Sequence, residues 1–174
     1  MAKNIPPLYG QNKAGKQQSR AHGRVIENDG ATALSLAPQD SGITVLITGG
    51  TNGAAACSLP SLASADSDGL EYTFLLTAAN GTSDWDIDAE DGKDYFIGHL
   101  DSVEAGTDAG VDFNGSSHDQ CTLAASKGAA GDRVHIFAAG GKWYINGSIN
   151  DLDGWAVGTS SANSSPPTDS NTPL

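Results

Sequence analysis

Short runs in which apolar and polar residues alternate recur along this chain at about 8–12-residue spacing, each closed by Gly, Asn, Asp or Ser. Period-two alternation gives a segment one dry face and one wet face, which is the pattern of a half-buried strand. The runs are RVIEN (24–28), TALSLA (32–37), ITVLIT (43–48), AAACSL (54–59), LEYTFLLTA (70–78), SDWDIDA (83–89), YFIGHL (95–100), VDF (111–113), QCTLAAS (120–126), DRVHIFA (132–138), KWYING (142–147) and a short WAV (155–157). No long segment repeats its apolar residues at helical spacing, so the chain reads as a β-sandwich or barrel. Ten of the eleven aromatic residues lie between Tyr72 and Trp155, which places the core there. Within the longer runs, Leu70, Tyr72, Phe74 and Leu76 share a side, as do Val134 and Ile136, opposite His135 and Phe137. Gly140-Gly141 forms a hairpin return that sets Trp143 and Ile145 on one face.

The stretch SDWDIDAEDGKDYF (83–96) admits two readings. Asp84, Asp86 and Asp88 have the spacing that opens a calcium loop, but such a loop needs Gly at its sixth position and Glu at its twelfth. Counted from Asp84, those positions hold Ala89 and Tyr95. A strand with Trp85, Ile87 and Ala89 inward needs only the alternation, and EDGK would then turn it into a hairpin with DYFIGHL. The hairpin with an acidic outer face is preferred, with a cation on the Asp84–Asp91 face as the alternative.

At 174 residues the chain is long enough for one domain that buries roughly two-thirds of its unfolded surface. It contains no apolar run of membrane-spanning length and no signal-peptide core, since MAKNIPPLYGQ places prolines where such a core is continuously apolar. Folding in the cytoplasm that makes it is therefore expected, and Cys57 and Cys121 read as buried thiols, with a pairing between them left open by spacing alone. Four N-x-[ST] matches occur, at Asn80, Asn114, Asn146 and Asn163, and the first three read as Asn-Gly turns.

Charge divides the chain. Residues 1–24 carry Lys3, Lys13, Lys16, Arg20 and Arg24 and no acidic residue, a net +5. The remainder holds four basic and all 21 acidic residues, a net −17, which gives −12 overall. Residues 1–23, rich in Gln, Gly and Asn, have too little apolar surface to fold alone and read as an extended basic arm with one apolar anchor, Ile5, Pro6, Pro7, Leu8 and Tyr9. Residues 24–157 form the body, and 158–174 a low-complexity tail.

Catalytic signatures do not assemble. The sequence GSSHD (115–119) sets Ser, His and Asp side by side, where successive residues point apart, and no G-x-S-x-G elbow is present. The acidic residues 84–91 lack the apolar setting that a glycosidase acid needs. ITGGTNG (47–53) and AAGGK (138–142) match no phosphate-binding loop, and His118 with Cys121 lacks a second ligand pair for zinc. His135 reads as a solvent-facing strand residue. A body of net −17 is unsuited to nucleic acid. No catalytic, metal or cofactor residues, no cofactor and no membrane or nucleic-acid partner are expected.

The order LSLAPQDSGITVLIT, AAACSLP, GLEYTFLLTA, DGKDYFIG and GAAGDRVHIFAAGGKWYING, over about residues 32–150, resembles a pattern in small structural proteins of tailed bacteriophages. It is most similar to capsid decoration (cement) proteins and head-fibre modules of marine and cyanobacterial phages. Its most specific parts are the D-S-G turn at 40–42 and the G-D-x-V…G-x-W-x-[IV]-x-G segment at 131–147. The resemblance implies an antiparallel, jelly-roll-like sandwich, commonly trimeric, bound outside the phage head at local threefold positions. The partner would be the major capsid protein. The capsid-binding residues expected in this chain are Ile5, Pro6, Pro7, Leu8, Tyr9, Lys13, Lys16, Arg20 and Arg24. The alternative is a host-recognition module that stacks surface glycans on Trp85, Tyr144 or Trp155.

Overall fold

The computed structural model describes residues 24–48, 56–63, 67–89, 94–103 and 110–158. The expected arm at 1–23, the EDGK turn and almost all of the tail at 158–174 therefore lie outside the described residues. Twelve strands form: β1 (Val25–Asn28), β2 (Leu34–Ser35), β3 (Ile43–Ile47), β4 (Ala56–Ser58), β5 (Glu71–Leu76), β6 (Trp85–Asp88), β7 (Phe96–Ser102), β8 (Gly110–Asn114), β9 (Gln120–Leu123), β10 (Arg133–Ala139), β11 (Lys142–Ile149) and β12 (Trp155–Gly158). Each expected run overlaps one of them. Two short 3-10 turns, Pro38–Asp40 and Leu152–Gly154, are the only helical segments among the described residues.

The strands build a seven-stranded sheet, β1-β3-β5-β10-β11-β7-β8, and a five-stranded sheet, β12-β9-β6-β4-β2. The fold is all-β, but the sheets are mixed rather than antiparallel, with five of ten strand pairs parallel. The cause is the route of the chain. From β1 to β6 it alternates between the two sheets, so that β1, β3 and β5 lie side by side in one and β2, β4 and β6 in the other. Two crossings restore the strand direction, which makes every neighbour within this flattened coil parallel. Each return passes through a strand of the facing sheet, which supplies the long connection that parallel pairing requires.

One expected hairpin is corrected by the same route, which also separates the first two strands. RVIEN and TALSLA become β1 and β2 in different sheets. Likewise β6 does not fold back on β7: it pairs with β4 and β9, while β7 lies beside β11 and β8 in the other sheet. A dry face and a Gly-containing connection look the same whether the chain returns within one sheet or crosses to the next. The β10–β11 hairpin does form, with Ala139 opposite Lys142 and positive φ at Gly140 (58°) and Gly141 (70°), the geometry of a two-residue type I′ loop.

The inward faces meet in one core. Tyr72, Phe74 and Leu76 of β5, Val134 and Ile136 of β10, and Trp143 and Ile145 of β11 are buried, as the alternation predicts. The smaller sheet contributes Cys57, Trp85, Ile87, Cys121, Leu123 and Trp155. Phe74 meets Trp85 across the sheets at 5.9 Å, and Tyr72 meets Trp143 at 6.0 Å. Each fully buried large apolar side chain contributes about 1.5–3 kcal/mol, so this layer dominates stability. Gly98 sits at φ 143° where any Cβ would run into the Ile145 carbonyl, so the β7–β11 contact depends on glycine there.

Buried polar side chains fasten the loops to this core. Asp132 is fully buried and accepts from the Asn150 backbone N–H (2.8 Å), Asn150 Nδ2 (2.7 Å), the Ala129 N–H (3.2 Å) and Trp155 Nε1 (3.1 Å). Asn80 donates to the Ala124 carbonyl and accepts from the Gly128 N–H, joining the β5–β6 and β9–β10 connections.

Candidate interaction faces

Each sheet turns one face outward. On the five-stranded sheet, β6 presents Asp86 and Asp88 outward while Trp85, Ile87 and Ala89 are buried, so the strand reading of this stretch holds. The carboxylates are engaged by the β9 side of the sheet. Thr122 Oγ1 donates to Asp86 (2.7 Å), Gln120 Nε2 to Asp88 (2.8 Å), and the Ala125 N–H to Asp84 (2.7 Å). Desolvation raises the pKa of both Asp86 and Asp88 above the ordinary carboxylate value, against the opposing effect of these hydrogen bonds. No group of three or more His, Cys, Asp or Glu side chains among the described residues is arranged to hold a metal ion.

The two cysteines belong to the inner side of this sheet. Cys57 and Cys121 each pair with Ile87, from opposite sides. Two strand spacings, roughly 9.6 Å, separate their backbones, beyond the reach of a disulfide. Both thiols are unbridged, and burial pushes both pKa values up.

The seven-stranded sheet presents a different surface. One row across it carries Phe137 of β10, Tyr144 of β11 and Ile97 of β7; the next carries His135, Asn146 and His99; a third carries Arg133, Ser148 and Asp101. Phe137 and Tyr144 stack at 5.3 Å and His135 stacks on Phe137 at 5.8 Å, all three half-buried. His99 is held by Asp112 through Nδ1 (2.7 Å) and by Asp101 through Nε2 (3.3 Å). This face thus combines aromatic rings with donors and acceptors, whereas the other is acidic with short side chains.

Of the expected capsid-binding residues, Ile5, Pro6, Pro7, Leu8, Tyr9, Lys13, Lys16 and Arg20 lie outside the described residues. Arg24 is described, at the entry to β1, where its guanidinium meets Asp40 at 3.1 Å. Two of the three expected glycan platforms are corrected: Trp85 is 3% exposed and Trp155 is 2% exposed, because both fill the core. Only Tyr144 reaches the surface. In GSSHD, Ser116 and Ser117 bond to the side chain of Asn114, His118 packs edge-on against Phe113, and Asp119 is buried, so the three types do not converge as a triad. Desolvation lowers the His118 pKa.

The Asn-Gly expectations divide. Asn114 closes its turn by accepting from the Ser116 and Ser117 N–H groups. Asn80 is instead a buried tie between loops, and Asn146 is a mid-strand residue of β11. The Asn146 reading failed because the alternation of KWYING continues through Gly147 to Ile149, extending the strand past the dipeptide. The face built by Arg133, His135, Asn146 and Asp101 went unseen, since nothing in the sequence sets β7 beside β11. No protein-family model, curated protein or solved structure matches this chain.

Proposed function

We propose that this protein is a non-enzymatic virion structural protein, a capsid decoration (cement) protein that binds the outer surface of a tailed-phage head and stabilises it. The observation that carries this reading is the charge split: five basic and no acidic residues over positions 1–24, against a net −17 over residues 25–174. A basic segment with an apolar anchor is suited to reach over a neighbouring protein, while a strongly acidic body discourages unwanted association with nucleic acid. The resemblance of residues 32–150 supports the same assignment. The body is all-β with two sheets, as the resemblance implies, while its parallel coil departs from the antiparallel jelly roll the resemblance also implies. The partner is the major capsid protein, and the working form is a homotrimer, whose three arms raise one another's effective concentration on the shell.

The test is binding of the purified protein to phage heads assembled without it. Saturable binding at one class of outer-surface position, with a rise in the temperature or force at which heads rupture, is the expected outcome. Absence of binding to heads, together with binding to host cells, would replace this reading by the host-recognition module.

A further inference from the structure

We infer that the trough running along β11 on the outer face of the seven-stranded sheet is a binding site for a neutral pyranose unit of a saccharide. This goes beyond attachment to the capsid and rests on a different part of the molecule. The trough has a volume of about 310 Å³. That lies at the lower end of small-molecule sites, about 300–1,000 Å³. Its floor is formed by short β11 residues, Asn146 and Ser148. Arg133 and His135 of β10 form one wall, and Asp101 of β7 the other.

The chemistry of the lining selects the ligand. Arg133 only donates, the ionised Asp101 only accepts, and Asn146 and Ser148 do both. A pyranose carries neighbouring hydroxyls that each donate and accept, so one ring can satisfy both walls and the floor. Phe137 and Tyr144 lie in the row next to His135 and Asn146, so a sugar extending beyond the trough has an apolar edge for its C–H face to pack on. An acidic polymer is disfavoured by Asp101 in the wall and by the net −17 of residues 25–174.

Three of the polar groups here are also available, while Asp101 is shared with His99 at 3.3 Å. Elsewhere on the outer faces, cross-strand polar neighbours are joined, as in Asp86 with Thr122, Asp88 with Gln120 and His99 with Asp112. Arg133 and Ser148 are cross-strand neighbours, as are His135 and Asn146, yet neither pair is hydrogen-bonded. Among the described residues the side chains of Arg133, Asn146 and Ser148 make no hydrogen bond or ion pair at all.

The experiment is a titration of the full-length, isotope-labelled protein with neutral monosaccharides and disaccharides of glucose, galactose, mannose and N-acetylglucosamine, and separately with uronic acids, followed by amide chemical shifts. At least one neutral sugar is expected to shift the amides of Asp101, His135 and Asn146 to Ser148 saturably. Asn146→Ala with Ser148→Ala should weaken that binding at least about tenfold, and Arg133→Gln, at an exposed position, gives the same test should the double variant fold poorly. Thr122→Ala on the opposite sheet should leave it unchanged. No shift with any neutral sugar, shifts only with uronic acids, or shifts that map away from β11 would overturn the site. Head binding by the trough variants should equal wild type, so the saccharide site and the capsid reading can fail separately.

Discussion

Asp132 shows how much one residue can organise in a fold that otherwise relies on apolar contacts. Its two oxygens take four hydrogen bonds from the Ala129 turn, from Asn150 beyond β11, and from the Trp155 indole that opens β12. Asp132→Ala would leave buried donors unmatched at about 1–3 kcal/mol each, so a loss of about 3 kcal/mol or more is expected in denaturant unfolding, with Asp132→Asn losing less. Asp86 and Asp88 act in the opposite sense. Their pKa values are raised in the folded state, chiefly by desolvation. Between the unfolded value and the raised folded value the native state therefore binds more protons than the unfolded one. Stability from this source falls as pH rises through that window and is flat above it. Asp86→Asn with Asp88→Asn retains an acceptor oxygen for Thr122 and Gln120 while removing the charge. It should raise the melting temperature at pH 7, with the gain shrinking as pH falls from the raised folded value towards about 4, close to the ordinary Asp value, and constant below that. An advantage that is constant with pH would show that the charge is not what the burial opposes. Cys57 and Cys121, kept apart by Ile87, should stay unreactive to thiol reagents in the native protein and titrate fully on unfolding.

At the scale of elements, the sequence was legible wherever a strand's own pattern sufficed and opaque wherever its neighbours mattered. Leu70, Tyr72, Phe74 and Leu76 fell on one buried side because alternation is a local property. The β10–β11 return was readable because two consecutive glycines at positive φ admit one kind of loop. The partnering of β6 was not, since the same Trp85, Ile87 and Ala89 face is buried whether the strand pairs with β7 or, as found, with β4 and β9. The outer-face trough depends on β7 lying parallel to β11, a contact between segments far apart in the chain, so no local signal could disclose it. By the same token, Trp85 and Trp155 looked like surface platforms until their sheets were placed face to face. The route of the chain can be checked directly. Inter-strand nuclear Overhauser contacts should link Asp86 to Ala56 and Ile97 to Tyr144, and none should link β6 to β7. A β6–β7 ladder would refute the coil.

For the whole molecule, the division between basic arm and acidic body decides what deletion of the arm should do. All twelve described strands and the core they enclose lie within residues 24–158, so a protein lacking residues 1–23 should keep its β-type circular dichroism. In light scattering the full-length protein should have about three times its 17.7 kDa chain mass, and a monomer across micromolar concentrations would count against a trimer formed before docking. Removal of the arm should then sharply reduce binding to undecorated heads, because the apolar anchor and four of the five basic residues of positions 1–24 leave together. The two contributions can be separated with salt. Exposed ion pairs are worth about 0–1 kcal/mol each, and at 1 M salt the screening length is about 3 Å. An apolar anchor at Ile5–Tyr9 would not be screened by salt, and its two prolines would reduce the ordering cost of docking. Leu8→Asp with Tyr9→Ala should therefore weaken head binding more than Lys13→Ala with Lys16→Ala, and the gap should widen as salt rises. If the truncated protein decorated heads as well as the intact one, the docking surface would belong to the body, and the outer face of the seven-stranded sheet would be the place to mutate next.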